Sequence, residues 1–218
     1  MAAGPGTGVP TCPQWTVARL VRHIARVQSL AVAAIRDPTG EHVKAGTAPQ
    51  EWEPLLAWWA RQRAQLRAAL DAPADQPAWL PFSGIPRTVG SWARRQAHEA
   101  AIHRLDAELA TRGDPVTFEP GFAADGVDEL LTLLVQRGAG WERSTVAGTV
   151  LLHAEDVGRL WSVRLQAGKS PLMEDQRRRE PDVTIEGPAD AVYKAMWRRP
   201  STARIAGDTT LLEPLAAP

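Results

Sequence analysis

Apolar residues recur through the first half of the chain at the three-and-four spacing of helices that bury one face. Thr16 is a suitable N-cap for a helix whose stripe runs Val17, Leu20, Val21, Ile24, Val27 and Leu30 toward Ile35, and Asp37-Pro38-Thr39-Gly40 is a turn that ends it. A second helix is predicted from about residues 49–51, with Trp52, Leu55, Leu56, Trp59, Leu66 and Leu70 as its stripe. Residues 72–86 are rich in proline and read as a loop carrying Trp79 and Phe82. A third helix starts around residues 88–91 and passes through Trp92, Ala100, His103 and Leu109 until Gly113-Asp114-Pro115 stops it. Three long helices with short connections imply an antiparallel bundle.

After Pro120 the period changes. A helix is predicted over residues 126–136, and then β-type segments over 145–154, 160–165, 183–186 and 203–206, with turn residues between them. Pro188 opens a further helix through Val192, Met196 and Trp197. The expected architecture is α+β, with a helical bundle over residues 1–122 and a small α+β domain over 123–218.

Composition narrows the class. No apolar run approaches the roughly 20 residues that span a bilayer, and residues 1–10 lack the basic start and apolar core of a signal peptide. Basic and acidic residues balance at 25 each, which removes the electrostatic footprint of a nucleic-acid binder. The one cysteine, Cys12, suits a reducing compartment, so a cytoplasmic protein is expected. Cys12 sits in Thr11-Cys12-Pro13 with no base in its sequence neighbourhood and reads as a structural residue.

The candidate chemistry lies in the third helix. Glu99 and His103 are four residues apart, so both project from one helix face and can grip one metal ion. Such a pair often makes only a surface hydrogen bond, but Asp106 lies three residues beyond His103, where it can orient an imidazole. His23, on the flank of the first helix's stripe, is the candidate third ligand, because a bundle can bring it opposite the pair. His98 and His103 are five apart, not the four of a zinc protease, and His98 is read as exposed or packed against another helix. His42 and His153 receive no role. The tryptophans Trp15, Trp52, Trp58, Trp59, Trp79 and Trp92 are read mostly as core, with one or two available to line a pocket.

Thr11-Cys12-Pro13-Gln14-Trp15-Thr16-Val17 with Leu20-Val21-Arg22-His23, and Trp92-Ala93-Arg94-Arg95-Gln96-Ala97-His98-Glu99 with His103-Arg104-Leu105-Asp106, resemble the mycothiol-dependent maleylpyruvate isomerase family. The later segments Ala124-Asp125-Gly126-Val127-Asp128-Glu129, those around Asp156 and Trp161, and Ile185 to Pro188 leading to Trp197-Arg198-Arg199 and Gly207-Asp208 are similar to the same family.

The resemblance implies a DinB-like helical bundle that holds a divalent metal, usually zinc, followed by a smaller α+β domain. It implies mycothiol as thiol cosubstrate and a small-molecule electrophile as partner, and its His, Glu and His ligands fall on His23, Glu99 and His103. The family's catalytic arginine is matched to Arg199, with Arg198 and Arg204 as alternatives. A thiol with pKa near 8.5 loses its proton on a metal cation, and the resulting thiolate either adds to a cis-alkene, permits rotation and leaves, or attacks an electrophile and stays attached. A non-catalytic metal-dependent binding module on the same fold is the alternative. Relatives carry another helix before the Cys-Pro-x-Trp segment, whereas eleven residues precede Cys12 here; either the chain starts further upstream or another element fills that place.

Overall fold

A computed structural model describes residues 4–111, 113, 115–136, 140–174 and 180–215; Asp114 of the expected stop signal lies outside them. The chain divides into two compact units, Met1–Val116 and Thr117–Pro218. The change of sequence pattern suggested a division after residue 122, whereas the segment from Thr117 onward packs with the second unit.

In the first unit three long helices form: α1 (Val17–Arg36), α2 (Trp52–Leu70) and α3 (Val89–Thr111), with α1 packed against both others. The Thr16 side chain accepts from Arg19 N, as an N-cap does, so the side chain that opens α1 in the sequence opens it in space. At the other end the Asp37 carboxylate accepts from the backbone of Thr39, Gly40 and His42, which turns the chain out of the helix. The stripe of α1 buries Leu20, Ile24, Val32 and Ile35, whereas α2 buries only Leu55 and Leu66. The proline-rich loop contributes to the core through Ala78, Leu80 and Phe82.

One element of this unit was not predicted. The segment ahead of α1 is a short antiparallel hairpin, β1 (Gly8–Val9) and β2 (Cys12–Thr16). Its period-two signal is too short to register, but Val9 is only 1% exposed and packs with Leu20 of α1 and Ala110 of α3. The hairpin therefore ties the chain's start to the ends of two helices, and it carries Thr11 and Trp15 into position beside α3 and α1.

The second unit opens earlier than the pattern suggested. Its first helix, α4 (Pro120–Glu129), begins at Pro120 rather than Gly126, because Glu119 caps the backbone N–H groups of Gly121 and Phe122 and Pro120 fits the first helical position. A π-turn over Leu130–Leu134 continues it. A five-stranded sheet follows: β3 (Gly148–Ala154), β4 (Arg159–Gln166), β5 (Lys169–Glu174), β6 (Val183–Gly187) and β7 (Arg204–Gly207), in the order β5-β4-β3-β6-β7. Among the described residues only β3 and β6 run parallel. The register aligns Val150 with Val163 and Val183, and Leu152 with Trp161 and Ile185, on one buried face. β5 was missed because its outward Leu172 and Met173 break the apolar–polar alternation. Helix α5 (Ala189–Met196) packs on β3 and β6, and its Tyr193 meets Phe118 edge to face at 5.4 Å.

Candidate metal centre and the pocket beside it

Helix α3 stacks Glu99 and His103 one turn apart, and α1 brings His23 to the same point. His23 Nε2 lies 2.8 Å from Glu99 Oε1, and His103 Nε2 lies 3.5 Å from that same oxygen. One donor atom from each of the three lies within 4.8 Å of the others. Side-chain exposure falls from 35% at His23 to 13% at Glu99 and 9% at His103, so the cluster is open on the His23 side and closed beneath.

Glu99 and His103 are each held by a neighbour outside the cluster. Arg95, buried one turn before Glu99, donates to Glu99 Oε2 at 2.6 Å, which leaves Oε1 to face the two imidazoles. Asp106 is fully buried, and its Oδ2 lies 2.8 Å from His103 Nδ1. A carboxylate only accepts, so Nδ1 carries the hydrogen and Nε2 is the nitrogen turned toward Glu99. The other oxygen of Asp106 accepts from the Thr11 hydroxyl at 2.5 Å, and the Cys12 thiol lies 3.9 Å from Oδ2. The Trp15 ring stands 4.9 Å from the His23 ring and 5.9 Å from that of His103, walling one side.

Electrostatics follow from this packing. Burial pushes the Glu99 carboxyl up, but hydrogen bonds from His103 and His23 and the Arg95 charge outweigh it and hold the group well below its usual range. Burial pushes His103 down, yet Asp106 and Glu99 together raise it above an ordinary histidine.

Of the residues singled out in the sequence, His23, Glu99, His103 and Asp106 come together in the first unit. Arg199 belongs to the second unit, where its Nη1 donates to Trp197 O at 2.6 Å. Arg198, at φ 55°, donates to Glu213 O. Arg204 bridges Glu155 and Glu186 at 2.7 and 3.2 Å. Those two carboxylates and His153 form a second group with ligand-like spacing, but the carboxylates pair with the Arg204 guanidinium. His98 is buried, not exposed.

Sequence reasoning missed three residues of the centre. Arg95 was legible as a partner four residues before Glu99. Thr11 was not, because the hairpin that delivers it was not predicted. Trp15 was one of six tryptophans read mostly as core with one or two available to line a pocket, and it stands half-buried beside both histidines. A pocket of about 340 Å³ opens next to His23, with Trp15 and Arg19, Arg22 and Arg26 of α1 on its walls.

A helical unit with a His-Glu-His cluster, joined to a small sheet unit, defines a two-part α+β class. Residues 2–108 match the family described as "Mycothiol maleylpyruvate isomerase N-terminal domain", and residues 121–214 match "MDMPI C-terminal domain". The chain belongs to the mycothiol-dependent maleylpyruvate isomerase family. A crystal structure of a histidine-to-alanine mutant of the mycothiol-dependent maleylpyruvate isomerase shares the fold, with a TM-score of 0.61 over 93% of this chain and 82% of that one at 14% identity. No curated protein matches the sequence.

Proposed function

We propose that this chain is a mycothiol-dependent metalloenzyme of the cytoplasm that acts on a small electrophile, by cis–trans isomerisation or by S-transfer. The observation that carries the reading is the convergence of His23, Glu99 and His103 on one point. Tetrahedral donors about 2.0–2.2 Å from zinc stand roughly 3.3–3.5 Å from one another. The His103–Glu99 separation of 3.5 Å already fits, and the 2.8 Å between His23 and Glu99 needs to open by about half an ångström. Two imidazoles and one carboxylate, with an open side at His23, match the donor set of a catalytic rather than a structural zinc site.

A divalent cation held there supplies the charge that keeps a thiol deprotonated near neutral pH. The chain's own residues do the rest of the preparation. Arg95 holds one oxygen of Glu99 so that the other is presented to the site. Asp106 keeps the hydrogen of His103 on Nδ1, and Thr11 keeps Asp106 in place. Trp15 excludes water from the histidine rings on one side.

The test is elemental analysis of the purified protein beside a triple alanine variant of His23, Glu99 and His103. About one zinc per chain in the parent and none in the variant is the expected result. Unchanged metal content after His103→Ala overturns the ligand assignment. Mycothiol-dependent turnover of a cis-alkene or of an alkylating electrophile by the zinc-loaded parent then separates isomerase from transferase.

A further inference from the structure

Helices α1 and α3 run antiparallel, and three ties along them fix which residues share a layer. At one end Leu20 packs with Ala110. In the middle His23 meets Glu99 and His103. At the other end Trp79 joins the two helices, its backbone N–H donating to Ala34 O while its carbonyl accepts from Trp92 Nε1 at 2.7 Å. Gln96 stands three residues before Glu99 and seven before His103, on the same side of α3, so it occupies the layer between the centre and Trp92. The α1 residues of that layer are Val27, one turn beyond His23, and Ala31.

Two glutamines are buried in this unit, and they differ. Gln28 of α1 accepts from Trp59 Nε1 at 3.1 Å through its Oε1. Gln96 is 6% exposed, and its Nε2 meets no acceptor among the described residues. A buried amide donor without an acceptor destabilises the fold that holds it, and an apolar side chain of similar size would remove that cost. The layer that holds this donor is also a layer of the pocket, which runs along α1 from His23 through Val27 to Leu30. The α1 side chains there are apolar, so they offer Gln96 nothing to bind.

We infer that Gln96 is a specificity-determining residue of this centre, whose amide donates to an uncharged carbonyl oxygen of the thiol bound there. The inference rests on the proposed function for the thiol, and it adds which thiols the chain selects: those carrying an amide a few bonds from sulfur, over plain alkanethiols. A neutral donor in an apolar layer discriminates by leaving itself unpaired when the ligand brings no acceptor. The spacing suits such a ligand. One helical turn, about 5.4 Å, separates the layer of Gln96 from that of Glu99, and a cysteine-derived amide spans a comparable distance between its sulfur and its carbonyl oxygens. The donor's cost in the free protein and its gain in the complex have one cause, which is why an unpaired amide persists beside the centre.

The experiment titrates zinc-loaded full-length protein by calorimetry with N-acetylcysteine amide and with 1-propanethiol, which share the thiol and differ in the carbonyls. Parent, Gln96→Met and Gln96→Leu are compared, with Tm measured on each protein free of metal and thiol and metal content measured after loading. The quantity read is the change in preference between parent and variant, which cancels the different acidities of the two thiols. Loss of one neutral hydrogen bond is expected to cut the preference for N-acetylcysteine amide about tenfold in both variants, with zinc content unchanged. The ligand-free Tm is expected to rise by about 3 °C in the better-packed variant, because the unpaired donor is gone. A preference that both variants keep overturns the inference. So does a ligand-free Tm below the parent's in both variants, because the amide then has a structural partner. The two readings fail separately. A zinc-loaded parent whose preference does not depend on Gln96 removes the inference and leaves the proposed function, whereas a parent that takes up no zinc yet selects the amide thiol through Gln96 removes the metal centre and leaves the inference. A parent that binds neither thiol overturns both.

Discussion

Asp106→Ala is the perturbation that tests the centre most directly, because that one carboxylate joins the hairpin to a candidate ligand. The substitution deletes the acceptor for His103 Nδ1 at 2.8 Å and for the Thr11 hydroxyl at 2.5 Å, at a position with no solvent exposure. Hydrogen bonds to a charged group contribute about 1.5–3 kcal/mol each, and loss of the buried carboxylate's own desolvation cost returns part of that, so a net loss near 3 kcal/mol is expected. For a unit of this size that corresponds to a fall in Tm of roughly 10 °C. Metal affinity falls by about 10–100-fold, since nothing then fixes which imidazole nitrogen carries the hydrogen. Asp106→Asn is the graded control: its oxygen can accept from His103 while its amide donates to Thr11, so the loss of affinity is smaller than for alanine. Zinc affinity by competition with a chromophoric chelator, and Tm by calorimetry, read the two effects. An alanine variant that is folded and binds zinc as tightly as the parent refutes the positioning role.

Three further outcomes follow from the geometry. Arg95→Gln strands the buried Glu99 carboxylate and lowers stability by about 3–5 kcal/mol in the presence of a chelator, and the loss shrinks when zinc replaces the missing charge; equal Tm losses with and without zinc contradict this. Gly207→Ala unfolds or strongly destabilises the second unit, because at φ 103° a Cβ would lie 2.1 Å from Asp182 O, and a near-parental melting curve counts against the β6–β7 register. The Glu119 carboxyl is held below its ordinary value of 4.5 by the backbone N–H groups of Gly121 and Phe122. Its contribution is therefore complete above 4.5 and disappears as pH falls through the lower folded value, so the Tm gap between parent and Glu119→Gln is full at pH 7 and closes in acid. A gap that is constant with pH removes the capping argument.

What the sequence determined by itself is whatever depends on short separations. The three-and-four stripe from Val17 to Ile35, the Thr16 cap and the Asp37 turn are local, and they define α1 almost to the residue. The four-residue step from Glu99 to His103 and the three-residue step to Asp106 place those side chains together on any helix, so most of the centre was legible before folding was considered. Tertiary structure decided the remainder. Thr11 and Asp106 are 95 residues apart, and their contact exists because Val9 buries itself against Leu20 and Ala110. Arg19, Arg22 and Arg26 received no reading from the sequence; they line one pocket together with Trp15, which the hairpin carries beside His23. Burial then gives each of these charges a consequence. An ion pair in water contributes little, whereas Arg95 and Glu99, enclosed between helices, fix which carboxylate oxygen faces the histidines.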